Sequence, residues 1–150
     1  MKVHCSNEYD PLKAVVLVSP EYMAIKVPIN DIQKKHAKKN IDRKVAEKQH
    51  EMFIEKLQEN GVETILLPPV EKYHEQVFTR DIGFTLGNQI FVAEMARDVR
   101  RGEEKILIDY LKEQRPEANF SSYGVFQKTV LSVRHFLRNN LSWRRVKSLL

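Results

Sequence analysis

Three features of the chain predict an α/β fold. The apolar, β-branched run Ala14-Val15-Val16-Leu17-Val18 suits a strand buried on both faces. Residues 41–60 carry apolar side chains at helical spacing among Lys, Arg and Glu. A second strand-like run, Val62-Glu63-Thr64-Ile65-Leu66-Leu67, follows directly. Strand, helix, strand, continued by a hairpin and a second helix, is an α/β pattern.

Along the chain, Ser19-Pro20 ends the first strand. In the helix, Ile41, Val45, Met52, Phe53 and Leu57 fall on one stripe, and Gly61 stands at the expected C-terminal position. The helix start has two candidates. Asn30 with Gln33 resembles a capping pair, and Asn40 is the other cap. The segment Tyr22 to Lys39 reads as a mobile loop or an early turn of helix. Pro68-Pro69 stops the second strand. Val77 to Phe84 and Gln89 to Ala93 read as short extended segments, and the Gly87-Asn88 between them suits a two-residue hairpin. Glu103 to Glu113 reads as a second helix with Ile106, Leu107, Tyr110 and Leu111 on its apolar side. Further on, Val130, Val133, Leu137 and Leu141 form a helical stripe flanked by Arg134 and Arg138, before Asn139-Asn140 interrupts it. A peripheral helix with its charges in water explains that stripe. A basic helix on a membrane surface or in a partner's groove is the alternative.

A chain of 150 residues suffices for one domain with a sizeable core. It contains no apolar run of about 18 residues or more, so no membrane span is expected. The opening MKVHCSNEYD lacks a signal peptide's apolar stretch, and Cys5 is the only cysteine. Both point to a reducing cytoplasm. The net charge of +5 is unevenly spread. Arg115 to Leu150 holds seven bases and one acid, against 18 bases and 19 acids in the rest. That asymmetry sets a boundary between residues 1–114 and a basic tail, 115–150.

Little in the chain supports common chemistries. Cysteine catalysis needs a thiolate, a base and a group orienting that base. His4 adjoins Cys5, but neighbours in an extended chain point to opposite faces. Cys5 therefore reads as an incidental thiol. No pair among His4, His36, His50, His74 and His135 has metal-ligand spacing, and the glycines form no phosphate loop, so no metal or cofactor is expected. His36 and His50 read as solvated. The Lys34-Lys35 and Lys38-Lys39 pairs read as a solvated face. Trp143 is one aromatic among bases, too little for a nucleic-acid surface.

Carboxylates and arginines remain. A planar guanidinium is best held by carboxylates, and a carboxylate by arginine. Asp81, Glu75 and Arg100 offer that combination; surface ion pairs worth ~0–1 kcal/mol are the plain alternative.

Three segments tip the balance. Asn7-Glu8-Tyr9-Asp10-Pro11-Leu12-Lys13-Ala14-Val15-Val16-Leu17 resembles the opening strand of the guanidine-modifying superfamily: dimethylarginine dimethylaminohydrolases, arginine deiminases and amidinotransferases. Val77-Phe78-Thr79-Arg80-Asp81 resembles its first substrate-site motif, and Arg100-Arg101-Gly102-Glu103 the turn before its next helix. The resemblance covers about residues 5 to 113. It implies a pentein-type fold, a pseudo-fivefold α/β propeller, of which this chain holds about the first two units. By the same resemblance, Asp81 binds a substrate guanidinium and Glu75 is a further acid of the site. Arg100 holds the substrate's α-carboxylate, and Glu21 to Asn30 corresponds to a lid loop. Arg80 stands where the hydrolases carry an acid, which leaves the substrate open.

The family's catalytic histidine, its orienting acid in an acidic double-glycine segment and its late nucleophilic cysteine have no counterpart here. No cysteine follows Cys5, and no Gly-Gly occurs. The expectation is a truncated or frame-shifted relative that is catalytically incomplete by itself. Its small-molecule partner would be a guanidino compound. The rival is a non-enzymatic module that binds such a ligand, or associates with itself or a partner through the strand edges of an incomplete propeller. A third alternative attaches the tail to nucleic acid or membrane.

Overall fold

The computed structural model describes residues 3–7, 9–28 and 30–123. Strand β1 (Ala14–Val18) pairs in parallel with β2 (Glu63–Leu67), Ala14 opposite Glu63 and Val18 opposite Leu67. A parallel pair requires a crossover, which helix α2 (Arg43–Glu59) supplies. β3 (Gly83–Leu86) and β4 (Gln89–Ala93) form the expected hairpin around Gly87-Asn88, with Gly87 at φ 60°, a value glycine adopts without penalty. Helix α3 (Glu103–Gln114) then returns the chain to β5 (Asn119–Tyr123), which pairs in parallel with β4. The strand order of this second sheet is β3-β4-β5.

One apolar cluster joins the sheets. Val18 and Leu67 of the first sheet meet Val92 of the second, Ile82 just before β3 and Met95 just after β4, and Leu107 and Leu111 of α3 pack with them. Burying each such side chain contributes roughly 1.5–3 kcal/mol. The two sheets thus share a core, and the turn that precedes β3 contacts β1 and β3 at its edge.

The helix α2 begins and ends by capping. Asp42 accepts from the Val45 amide at its start. At its end Gly61 N–H donates to Gln58 and Val62 N–H to Leu57, a Schellman ending. Neither expected cap starts this helix. Asn30 caps a separate short helix, α1 (Asp31–His36), through Gln33 N–H. Asn40 closes the turn after α1 at φ 57°, and its side-chain amide accepts from Ile25 N–H and donates to Ile25 C=O.

Several expectations are corrected. The α2 stripe is not core: Val45, Met52 and Phe53 are 50–59% exposed. The helix contacts β2 and the turn Pro20–Tyr22, and its partly buried residues include Ala46, His50, Ile54 and, from the stripe, Leu57. The Phe78-Thr79-Arg80-Asp81 motif is not extended but wound into a single 3-10 turn, Thr79–Asp81. β5 is not anticipated by the sequence, because Asn119-Phe120-Ser121-Ser122-Tyr123 lacks an apolar alternation. The tail stripe of Val130 to Leu141, with His135 and Trp143, lies outside the described residues.

Candidate functional site

The 3-10 turn Thr79–Asp81 is tied at both ends. Thr79 Oγ1 donates to Val16 C=O of β1 at 2.8 Å, and Ile82 immediately after is buried. A Cβ on Gly83 would stand 2.8 Å from Phe91 C=O, so only glycine lets the hairpin close there. These anchors leave Asp81 at the edge of the core with its side chain 52% exposed.

Arg100, at the end of the turn Asp98–Arg100, is buried and reaches the same place. Its Nε donates to both carboxylate oxygens of Glu103 at 3.1 Å, and Nη2 donates to Glu103 Oε2 at 2.8 Å and to Phe78 C=O at 3.1 Å. Nη1 donates to Asp81 Oδ2 at 2.5 Å. Glu75 Oε2 lies 4.0 Å from Arg100 Nε. The other Glu75 oxygen accepts from the side chain of Gln33, on α1. Glu75 is buried, and its Oε2 accepts no hydrogen bond among the described residues.

Three carboxylates therefore surround one guanidinium. Burial lifts the Glu103 carboxyl above its ordinary range, against the pull of Arg100. Burial also works against the Arg100 charge, but its hydrogen bonds to Glu103 and Asp81 outweigh that and raise its pKa. A cluster with more negative than positive groups favours a cation.

The three residues singled out by sequence, Asp81, Glu75 and Arg100, thus converge, although 25 positions separate the first and last of them. Arg100, assigned to a ligand carboxylate, directs its donors to Glu103, Asp81 and Phe78. Sequence reasoning misses Glu103, although Arg100 and Glu103 stand at the i, i+3 spacing of facing helical residues. Gln33 reads from the sequence only as half of a capping pair. Glu104, buried beside Glu103, accepts from Gly102 N–H and so caps the start of α3.

The remaining candidates stand apart. Cys5 exchanges backbone hydrogen bonds with Gly87, and its thiol donates to Asn7 C=O at 3.4 Å. Gly87 lies at the far end of β3 from Asp81, about 13 Å along the strand. His74 Nδ1 is 2.9 Å from Tyr22 C=O. His50 is not solvated as expected: it is half-buried, its Nε2 lacks a partner among the described residues, and desolvation lowers its pKa. No group of three metal-ligating side chains forms among the described residues.

Comparison with known proteins adds the family. The model of the eukaryotic N,N dimethylarginine dimethylhydrolase family matches residues 19–135. Uncharacterized protein YkgA of Bacillus subtilis (strain 168) is 42% identical over 113 residues, which are 75% of this chain and 40% of that protein. Among solved structures, AgrE bound to L-arginine aligns with a TM-score of 0.65 at 19% identity, covering 77% of this chain and 16% of that one. The N-terminal domain of ArgZ, an arginine dihydrolase from the ornithine-ammonia cycle in cyanobacteria, aligns at 0.63 and 20% identity, covering 78% and 41%. A dimethylarginine dimethylaminohydrolase adduct aligns at 0.57 and 21% identity, covering 78% and 42%. At these identities the structural likeness shows the fold, part of a pentein.

Proposed function

Since the chain belongs to the N,N dimethylarginine dimethylhydrolase family, we propose that its acid cluster is the guanidinium-binding half of a carbon–nitrogen hydrolase site. The observation that carries this reading is Asp81: a half-exposed carboxylate, fixed by Arg100, at the rim of a cluster in which acids outnumber bases. An arginine-like ligand would set its guanidinium against Asp81 as a charge-assisted hydrogen-bonded pair. AgrE with bound L-arginine and ArgZ, an arginine dihydrolase, support that ligand class by analogy.

Binding and hydrolysis separate here. Attack on a guanidinium carbon by the covalent cysteine route needs a thiolate beside it. Cys5 is the only thiol of the chain and sits at the opposite end of β3. This chain spans about 40% of the length of the curated relative it matches. The proposal is therefore a ligand-binding half-site that does not hydrolyse by itself. No helix among the described residues is long and apolar enough to cross a membrane, and the single unpaired thiol fits a reducing cytoplasm.

Calorimetry with arginine and methylated arginines tests the binding, with an assay for citrulline alongside. Heat that disappears in Asp81→Ala, without citrulline, supports the proposal. No heat in the parent chain rejects it. Citrulline formed by Cys5→Ala would show that hydrolysis does not depend on the thiol.

A second reading is association with another chain, favoured by the exposure of Met52, Phe53 and Leu66 and by a first sheet of only two described strands. Sedimentation showing a concentration-independent monomer would reject it.

A further inference from the structure

We propose that Glu103 is a positioning residue: by occupying one edge of the Arg100 guanidinium, it aims the other at Asp81 and keeps Asp81 negative toward an incoming cation. This deepens the guanidino reading and rests on it. Glu103 touches no ligand surface, since its side chain is 0% exposed. It accepts from Nε and Nη2, which define one edge of a rigid planar group. Fixing that edge fixes the direction of Nη1, the nitrogen that reaches Asp81 Oδ2. Asp81 meets Arg100 through Oδ2 and its side chain is half exposed, so a ligand can reach it.

Charge makes the same case. With Glu103 ionised, Arg100 is already paired, and Asp81 with Glu75 remain in excess. With an amide in place of Glu103, the whole Arg100 charge would face Asp81 and Glu75. A cation would then meet a neutralised carboxylate. Arg100 would also lose the contact that keeps its plane in register with the turn Thr79–Asp81.

The test compares E103Q and Glu103→Asp with the parent chain on two ligands, arginine and its neutral ureido analogue citrulline. E103Q should weaken arginine about tenfold relative to citrulline, a difference of ~1.4 kcal/mol, whereas Glu103→Asp keeps the charge and should retain the arginine preference. Equal losses for both ligands would mean a merely structural role and overturn the proposal. Should E103Q not fold, loss of the preference in Glu103→Asp overturns it. NMR gives a readout that needs no ligand. Arg100 Nε–H should exchange with solvent faster in E103Q and the Asp81 Cγ resonance should move; an unmoved resonance overturns the proposal. If the parent chain binds no arginine, the guanidino reading fails while the NMR result still decides the role of Glu103.

Discussion

The side-chain amide of Gln33 donates to the buried carboxylate of Glu75, so the exposed helix α1 is fastened to the acid cluster. Residues 30–42 otherwise show no buried side chain, and Asn40 clasps Ile25 at the root of the segment. Gln33→Ala should speed hydrogen exchange of the backbone around residues 31–36. It also strips a partner from a buried carboxylate, which costs about 1–3 kcal/mol. Unchanged exchange would show that the bond does not hold the helix.

Arg100 is the counter-ion of a glutamate with no solvent contact. Arg100→Met should therefore destabilise the fold by roughly 3–5 kcal/mol, because Glu103 is left charged and unpaired. Replacing both, Arg100→Met with Glu103→Met, should recover most of that loss. Urea unfolding of the three chains measures it, and a double variant as weak as the single one would contradict the pairing.

Gly102 precedes α3 at φ 103°, and a Cβ there would collide with the Tyr73 hydroxyl. Gly102→Ala should cost about 1–3 kcal/mol through the backbone alone. Adding Tyr73→Phe should relieve the steric part and leave the backbone part. Thermal melts of the single and double variants separate the two.

His50 supplies a pH dependence. Burial lowers its folded-state pKa below 6.5, so the unfolded chain binds the proton more readily. The associated stability is complete above that unfolded value and is lost as pH falls through the lower folded one. The melting temperature should decline on acidification from pH about 7, and His50→Leu should flatten that decline. Equal slopes would place the titration elsewhere.

How much of this is legible in the sequence depends on range. The apolar run Ala14 to Val18 and the Gly87-Asn88 turn are local signals, and the strand β1 and the hairpin follow from them, as α3 follows from its own apolar spacing. Asp81, Glu75 and Arg100 stand out because a guanidinium and carboxylates are complementary, and they do meet. The partners of Arg100 are not legible, because burial of Glu103 depends on how α3 seats against two sheets. The stripe on α2 misleads for the same reason: periodicity gives an apolar face but not the surface that covers it. Phe78 to Asp81 reads as extended because apolar residues precede the charges, yet hydrogen bonds from Phe78 and Asp81 N–H wind it into a turn.

The backbone pair between Cys5 and Gly87 has a bearing on how the chain folds. It joins positions roughly eighty residues apart, and closing so long a loop is entropically unfavourable until other contacts have shortened it. The β3–β4 turn must exist before the N-terminal segment has anything to pair with. Thr79 on Val16, and Arg115 on Glu63 at 2.7 Å, tie distant parts of the chain together in the same long-range manner. Neither sheet is then free to mature alone. A chain so laced across its halves should fold slowly for its size and unfold in one cooperative step.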